Sequence, residues 1–130
     1  MITSCGQNIK DTDVVVAYDS QTELNLSSEQ EYILVKHELD SILTSVLAEF
    51  KIVDEMTQNI KTSQNTWVLY RDAQLLMKYP ETDPLRNSSA FNACYFSYLT
   101  ELTKERIETL KPWISGAKEG DVCSGSIKIK

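Results

Sequence analysis

The chain has 130 residues, 42% of them hydrophobic and 25% charged, with a formal net charge of −6 at pH 7. That length supports one modest core and not two, and the composition is that of a globular chain, not a disordered one. The charge argues against nucleic acid as the main partner, because phosphate binding needs clustered cations; it favours encounter with a cationic protein.

Residues 1–19 are mostly polar and aperiodic and read as a flexible or extended lead, in which Asp13–Tyr18 is short and β-prone. Within the lead, Ile2-Thr3-Ser4-Cys5-Gly6 resembles the lipobox of bacterial lipoproteins, so either Cys5 carries a lipid or the run of small residues is a coincidence. No apolar run approaches the roughly 18–20 residues that a membrane span requires. Only 4 Gly and 3 Pro are present, which favours long helices over a many-turned β architecture.

Ser20-Gln21-Thr22-Glu23 has the S-x-x-E form of a capping box, which places a helix start there. Ser28-Glu29-Gln30-Glu31 repeats the form and allows a break near Leu26–Ser28. Tyr32, Val35, Leu39, Ile42, Val46, Phe50 and Val53 then keep a helical spacing through more than five turns, with Glu29, Lys36, Glu38 and Asp40 mostly off the stripe. Compactness calls for a turn around Val53–Gln58, since an unbroken helix to Tyr79 would exceed about 70 Å.

A second helix is expected over roughly 58–79, ending where Pro80 disfavours helical backbone at Tyr79. Gln64, Trp67, Arg71 and Leu75 form its stripe, with an arginine among apolar residues. Residues 80–87 read as a loop, and Ser88 or Ser89 can cap a third helix. The stripe of that helix is Phe91, Tyr95, Tyr98, Leu99, Leu102, Arg106, Leu110 and Trp113, again with one arginine on the apolar side. Gly116, Gly120 and Gly125 mark a loose tail over 116–130, where Ser126–Lys130 alternates like a short edge strand or a disordered end.

A buried guanidinium needs acceptors, because an unpaired buried charge is strongly disfavoured. Arg71 and Arg106 are therefore each expected to fork onto a carboxylate or helix-end carbonyl of a neighbouring helix, with Glu23, Asp40 and Asp72 as candidates; lining a ligand pocket is the alternative. Trp67 and Trp113 read as core residues before interaction hot spots. Glu101, Glu105 and Glu108 share one edge of the third helix, which is either a solvated face or an acidic patch for a basic partner. No catalytic constellation, metal-ligand cluster or phosphate loop is evident: His37 is the only histidine, and no C-x-x-C occurs.

These residues resemble the bacterial lysozyme-inhibitor LprI-like family. Ser20–Asn25, with Glu23 and Asn25, looks like its first motif, and Val35–Asp40 faintly echoes the second. Gln64, Trp67, Arg71 and Asp72 look like the third; Leu102-Thr103…Arg106…Leu110 looks like the fourth, the likeness covering about residues 20–113. Ser27 and Leu75 stand where the family has cysteines, a joint loss that one missing pair would explain. The family's other cysteine position corresponds to Tyr98, with Cys94 one turn earlier, so its disulfide framework does not carry over intact. If Cys5 carries lipid, Cys94 and Cys123 remain as a pair, the tail being long enough to close the bridge.

The reading is thus an all-α antiparallel bundle of three principal helices with irregular termini, the helical domain occupying 20–115. The resemblance implies an exported, non-enzymatic protein without cofactor, periplasmic or anchored through Cys5. It would bind and inhibit lysozyme or another cationic wall-acting enzyme through an acidic surface; the alternative is an envelope assembly module binding a different protein.

Overall fold

A computed structural model describes residues 20–130. The lead, its β-prone stretch and the lipobox-like Cys5 lie outside the described residues.

Three long helices dominate: α1 (Gln21–Glu49), α2 (Asp54–Lys78) and α3 (Phe91–Leu110). A one-turn helix α4 (Pro112–Ser115) follows, and a 3-10 turn at Pro84–Asn87 lies between α2 and α3. The fold is the expected all-helical bundle. Helices adjacent in sequence run antiparallel, so α1 and α3 run parallel; these two make the most extensive packing, while α2 leans mainly on α3.

The capping box starts α1 as read: Ser20 Oγ accepts from the Glu23 N–H at 3.2 Å. The second S-x-x-E does not interrupt the helix, and Ser28 faces inward instead. The stripe is buried at Val35, Leu39, Val46 and Phe50, with Tyr32 and Ile42 half-buried, but Val53 is exposed. The chain turns at Phe50–Val53, earlier than expected, and α2 begins at Asp54 instead of near residue 58. Two contacts fix that turn: the Val53 N–H donates to the Phe50 carbonyl at 3.0 Å, and Thr57 Oγ1 donates to the same oxygen at 3.4 Å. Asp54 and Glu55 then occupy the first turn of α2, where the helix dipole favours negative charge.

The core stacks in three layers along the bundle. At the turn end Val46 and Phe50 meet Ile60, with Met56 and Trp113 against them. The middle layer packs Val35 and Leu39 of α1 on Ile107 and Leu110 of α3. At the far end Leu75 of α2 meets Leu99 and Leu102 of α3, with Tyr32 alongside. Trp67 touches the last two layers and ties α2 to both. Burying one such aliphatic side chain contributes roughly 1.5–3 kcal/mol. Outward on α2, Leu69, Tyr70, Leu76 and Met77 are exposed.

The tail folds back on the turn end. Lys130 N–H donates to the Ala117 carbonyl at 2.8 Å, Ala117 N–H donates to Lys128, and Lys128 pairs with Glu49 at the end of α1. Gly116 (φ 87) lets the chain reverse there; a Cβ would lie 2.8 Å from the Lys128 carbonyl oxygen. The bridge expected between Cys94 and Cys123 is not formed. Cys123 is an exposed free thiol on the tail, whereas Cys94 is buried and disulfide-bonded. The two lie at opposite ends of α3: sixteen residues separate Cys94 from Leu110, a rise of about 24 Å, and the tail docks at the Glu49 end.

Tyr79 closes the far end. It is 4% exposed, donates its hydroxyl to the Cys94 carbonyl at 3.3 Å and meets Phe91 and Tyr98 edge-on. Burial, with smaller contributions from Tyr98, Asp83 and Glu101, pushes its pKa up to about 12. The fold therefore holds this proton to higher pH than the unfolded chain, where tyrosine titrates near 10. Its stabilisation is fully present below pH 10 and is lost as pH rises toward 12. Urea unfolding should show the stability gap between wild type and Tyr79→Phe shrinking by about 1 kcal/mol between pH 8 and pH 11; a constant gap would mean that the hydroxyl titrates normally.

Candidate functional site

The two stripe arginines have different surroundings. Arg106, on α3, is 8% exposed and reaches across to α2. Its Nε donates to Gln64 Oε1 at 2.9 Å and its Nη2 to Ser63 Oγ at 3.0 Å. Both acceptors are neutral, and no carboxylate pairs with this guanidinium among the described residues. The expected fork onto Glu23 or Asp40 is thus corrected: Asp40 pairs with Lys36 on its own helix at 3.1 Å, and Glu23 sits in the exposed first turn of α1. Burial lowers the Arg106 pKa from its ordinary value, although a guanidinium remains charged near neutrality.

Arg71 also misses the neighbouring helices. It pairs with the next residue, Asp72, with Nη2 at 2.8 Å and Nε at 3.0 Å from Oδ1, and Asp72 is itself exposed. Its guanidinium lies 5.5 Å from the centre of the Trp67 ring, within range of a cation–π contact. An adjacent carboxylate can reach back because the arginine stem is long and half-exposed.

Arg106 lines a cleft of about 240 Å³ among α1, α2, α3 and α4. Its walls are Val46, Met56, Ile60, Leu110 and Trp113, and Asn59, Ser63 and Thr109 supply polar groups. Trp113 is half-buried and serves both the turn-end core and this cleft.

Asn25 has an unexpected duty at the far end. Its Oδ1 accepts from the Ala93 N–H at 2.9 Å and its Nδ2 donates to the Ser89 carbonyl at 2.9 Å. The residue before α3, Ala90, offers no side-chain cap, and Ser88 Oγ accepts from Ala90 N–H outside the helix. Thus α1 caps α3 in place of the expected Ser88 or Ser89. Thr103 is buried and donates back to the Leu99 carbonyl at 2.7 Å, and Leu110 belongs to the middle core layer.

Sequence reasoning missed Ser63 and Arg86. Arg86 Nη2 donates to the Tyr79 carbonyl at 2.7 Å and Nε to Pro80 at 3.0 Å, securing the end of α2. An arginine shortly after a helix stop was a signal for that role. Ser63 gave no signal beyond standing next to Gln64.

The acidic edge is present as an exposed row. Glu108 pairs with Lys111 at 2.8 Å and raises that lysine's pKa; Lys104 pairs with Glu31 of α1 at 3.4 Å. Glu101 and Glu105 are exposed and make no ion pair among the described residues. No group of three or more metal-ligating side chains is assembled among the described residues.

The family model "Lysozyme inhibitor LprI" matches residues 15–110, a span that covers all of α1, α2 and α3. The chain belongs to the lysozyme inhibitor LprI family. Compared with curated proteins and with solved structures, it has no significant match. The LprI match ends at Leu110, so α4 and the folded-back tail lie beyond it. In this LprI-family chain the residues quoted for the resemblance fall on contacts between helices: Asn25 joins α1 to α3, Gln64 and Arg106 join α2 to α3, and Trp67 joins two core layers. Arg71 and Asp72 instead pair with one another, and Thr103 bonds within its own helix.

That contrast has a measurable form. Asn25→Ala removes a cap that two helices share and should cost about 1–2 kcal/mol in urea unfolding. Arg71→Gln removes a partly exposed local pair and should change stability by less than about 1 kcal/mol. Equal losses would show that Asn25 does not hold α3.

Proposed function

We propose that this protein is a non-enzymatic protein of the bacterial cell envelope that binds and inhibits lysozyme, a cationic enzyme, through its acidic surface. Membership of the LprI family is the observation that carries the reading. Two features support it: the net charge of −6, and the row Glu101, Glu105 and Glu108, whose first two carboxylates make no ion pair among the described residues. Opposed charges speed encounter and set orientation, so the row would meet the rim of a basic cleft and obstruct substrate entry. Export places the protein where wall-acting enzymes operate. Among the described residues no helix is long and apolar enough to cross a membrane.

The test is a lysozyme turbidity assay on bacterial cells, with binding measured by calorimetry at two salt concentrations. Wild-type protein should protect cells at micromolar concentration and bind less tightly as salt rises. Changing all three residues, Glu101→Lys, Glu105→Lys and Glu108→Lys, should weaken binding at least tenfold with the helical circular-dichroism spectrum retained, because all three are exposed. Protection that survives the triple change would place the inhibitory surface elsewhere, and no protection by the wild type would overturn the inhibitor reading.

A further inference from the structure

The cleft among α1, α2, α3 and α4 is a different feature from the acidic edge, and the proposed inhibition makes no use of it. Its lining contains one ionisable residue, Arg106, in a protein whose net charge is negative. A guanidinium carries five N–H donors. Gln64 and Ser63 engage two of them, and Nη1 hydrogen-bonds nothing among the described residues. Nη1 is also not among the buried atoms lacking a partner, so it still reaches solvent. The remaining donors are therefore held on a fixed stem, desolvated along most of their length and open at one end.

Two neutral acceptors do not compensate a buried charge, and the group best matched to a guanidinium's free donors is a carboxylate, which accepts two parallel N–H bonds. The rest of the cleft is suited to the body such a group would carry. Trp113, Met56, Ile60 and Leu110 form apolar walls, and Asn59 and Thr109 can orient a second oxygen. An apolar cleft with a few convergent polar groups is the usual form of a small-ligand site. At about 240 Å³ it has room for one aromatic or branched aliphatic group and no more. We propose that this cleft binds a carboxylate attached to one apolar or aromatic group, with Arg106 holding the carboxylate and Trp113 packing on the apolar part. A small carboxylic acid and the C-terminal residue of a peptide share that chemistry.

The probes are 3-phenylpropionate, its neutral analogue 3-phenylpropanamide, and the peptide N-acetyl-Gly-Gly-Phe with either a free or an amidated C-terminus. The readout is the indole N–H of Trp113 in a nitrogen–proton NMR spectrum. Trp67 does not line this cleft and is the internal control. The free acid should shift Trp113 and not Trp67, with a Kd of about 1 mM, as expected for a ligand of that size. The amide should bind at least tenfold more weakly. A free-carboxylate peptide that binds more tightly than 3-phenylpropionate identifies the peptide end as the source; tighter binding of the acid identifies a small molecule. Arg106→Gln should abolish the shift. Thr109→Asp, an exposed position that would place a carboxylate in the cleft, should abolish it with Arg106 still in place. The proposal is overturned if the amide shifts Trp113 as strongly as the acid, if no probe shifts it at 10-fold the expected Kd, or if binding survives in a folded variant of either kind.

Discussion

A positively charged side chain held between two helices without an opposite charge is the constraint on which the architecture turns. Arg106 projects from α3, loses most of its water and is met on α2 by the amide oxygen of Gln64 and the hydroxyl of Ser63. A carboxylate there would give a stronger local bond, but it would also pull the pair toward solvent or bring a second desolvation cost. Neutral acceptors instead fix the register of α2 against α3, since each hydrogen bond works only at one longitudinal setting. This matters because α2 has little else to hold it: Ile60 and Leu75 are the only residues buried along its length. The closer packing is between α1 and α3, and α2 depends on polar contacts, Trp67 and its two ends.

Those ends are secured by chain reversal. At one, the Phe50–Val53 turn is held by Thr57; at the other, Arg86 binds the carbonyls of Tyr79 and Pro80 just past α2, while the Tyr79 hydroxyl reaches Cys94 of α3. Asn25 links the remaining pair by capping α3 from α1, a contact between residues sixty-eight positions apart. Asn25, Gln64 and Arg106, three of the polar residues quoted for the family resemblance, thus each bond to a helix they do not belong to, while buried Thr103 bonds within α3. The outward surface is mixed: Glu101 and Glu105 are exposed without an ion pair among the described residues, and α2 exposes Leu69, Tyr70, Leu76 and Met77.

Much of this was legible in the sequence, for identifiable reasons. The α1 stripe carries a 3–4 residue period over many turns, and Pro80 ends α2 by sterics, so both helices were readable from local rules. The break between α1 and α2 was not, because Phe50–Val53 contains neither glycine nor proline and the turn is set by a contact from Thr57 made after the chain reverses. The same limit explains Asn25 and Arg106. Their types and positions marked them as unusual, but which groups receive them depends on how the helices align, a long-range matter that periodicity does not encode. The cysteine pairing failed for a related reason. Chain length allowed Cys123 to reach Cys94, but the tail is drawn to Glu49 and the turn end, leaving Cys123 free.

The account's central claim, that Arg106 and Gln64 set α2 against α3, is tested most directly by a double-mutant cycle. Urea unfolding of wild type, Arg106→Leu, Gln64→Leu and the double variant gives the coupling between the two side chains. A charge-assisted hydrogen bond in this setting predicts a coupling of about 1.5–3 kcal/mol. A value within about 0.5 kcal/mol of zero would contradict the account, since the two residues would then be neighbours that do not hold the helices together.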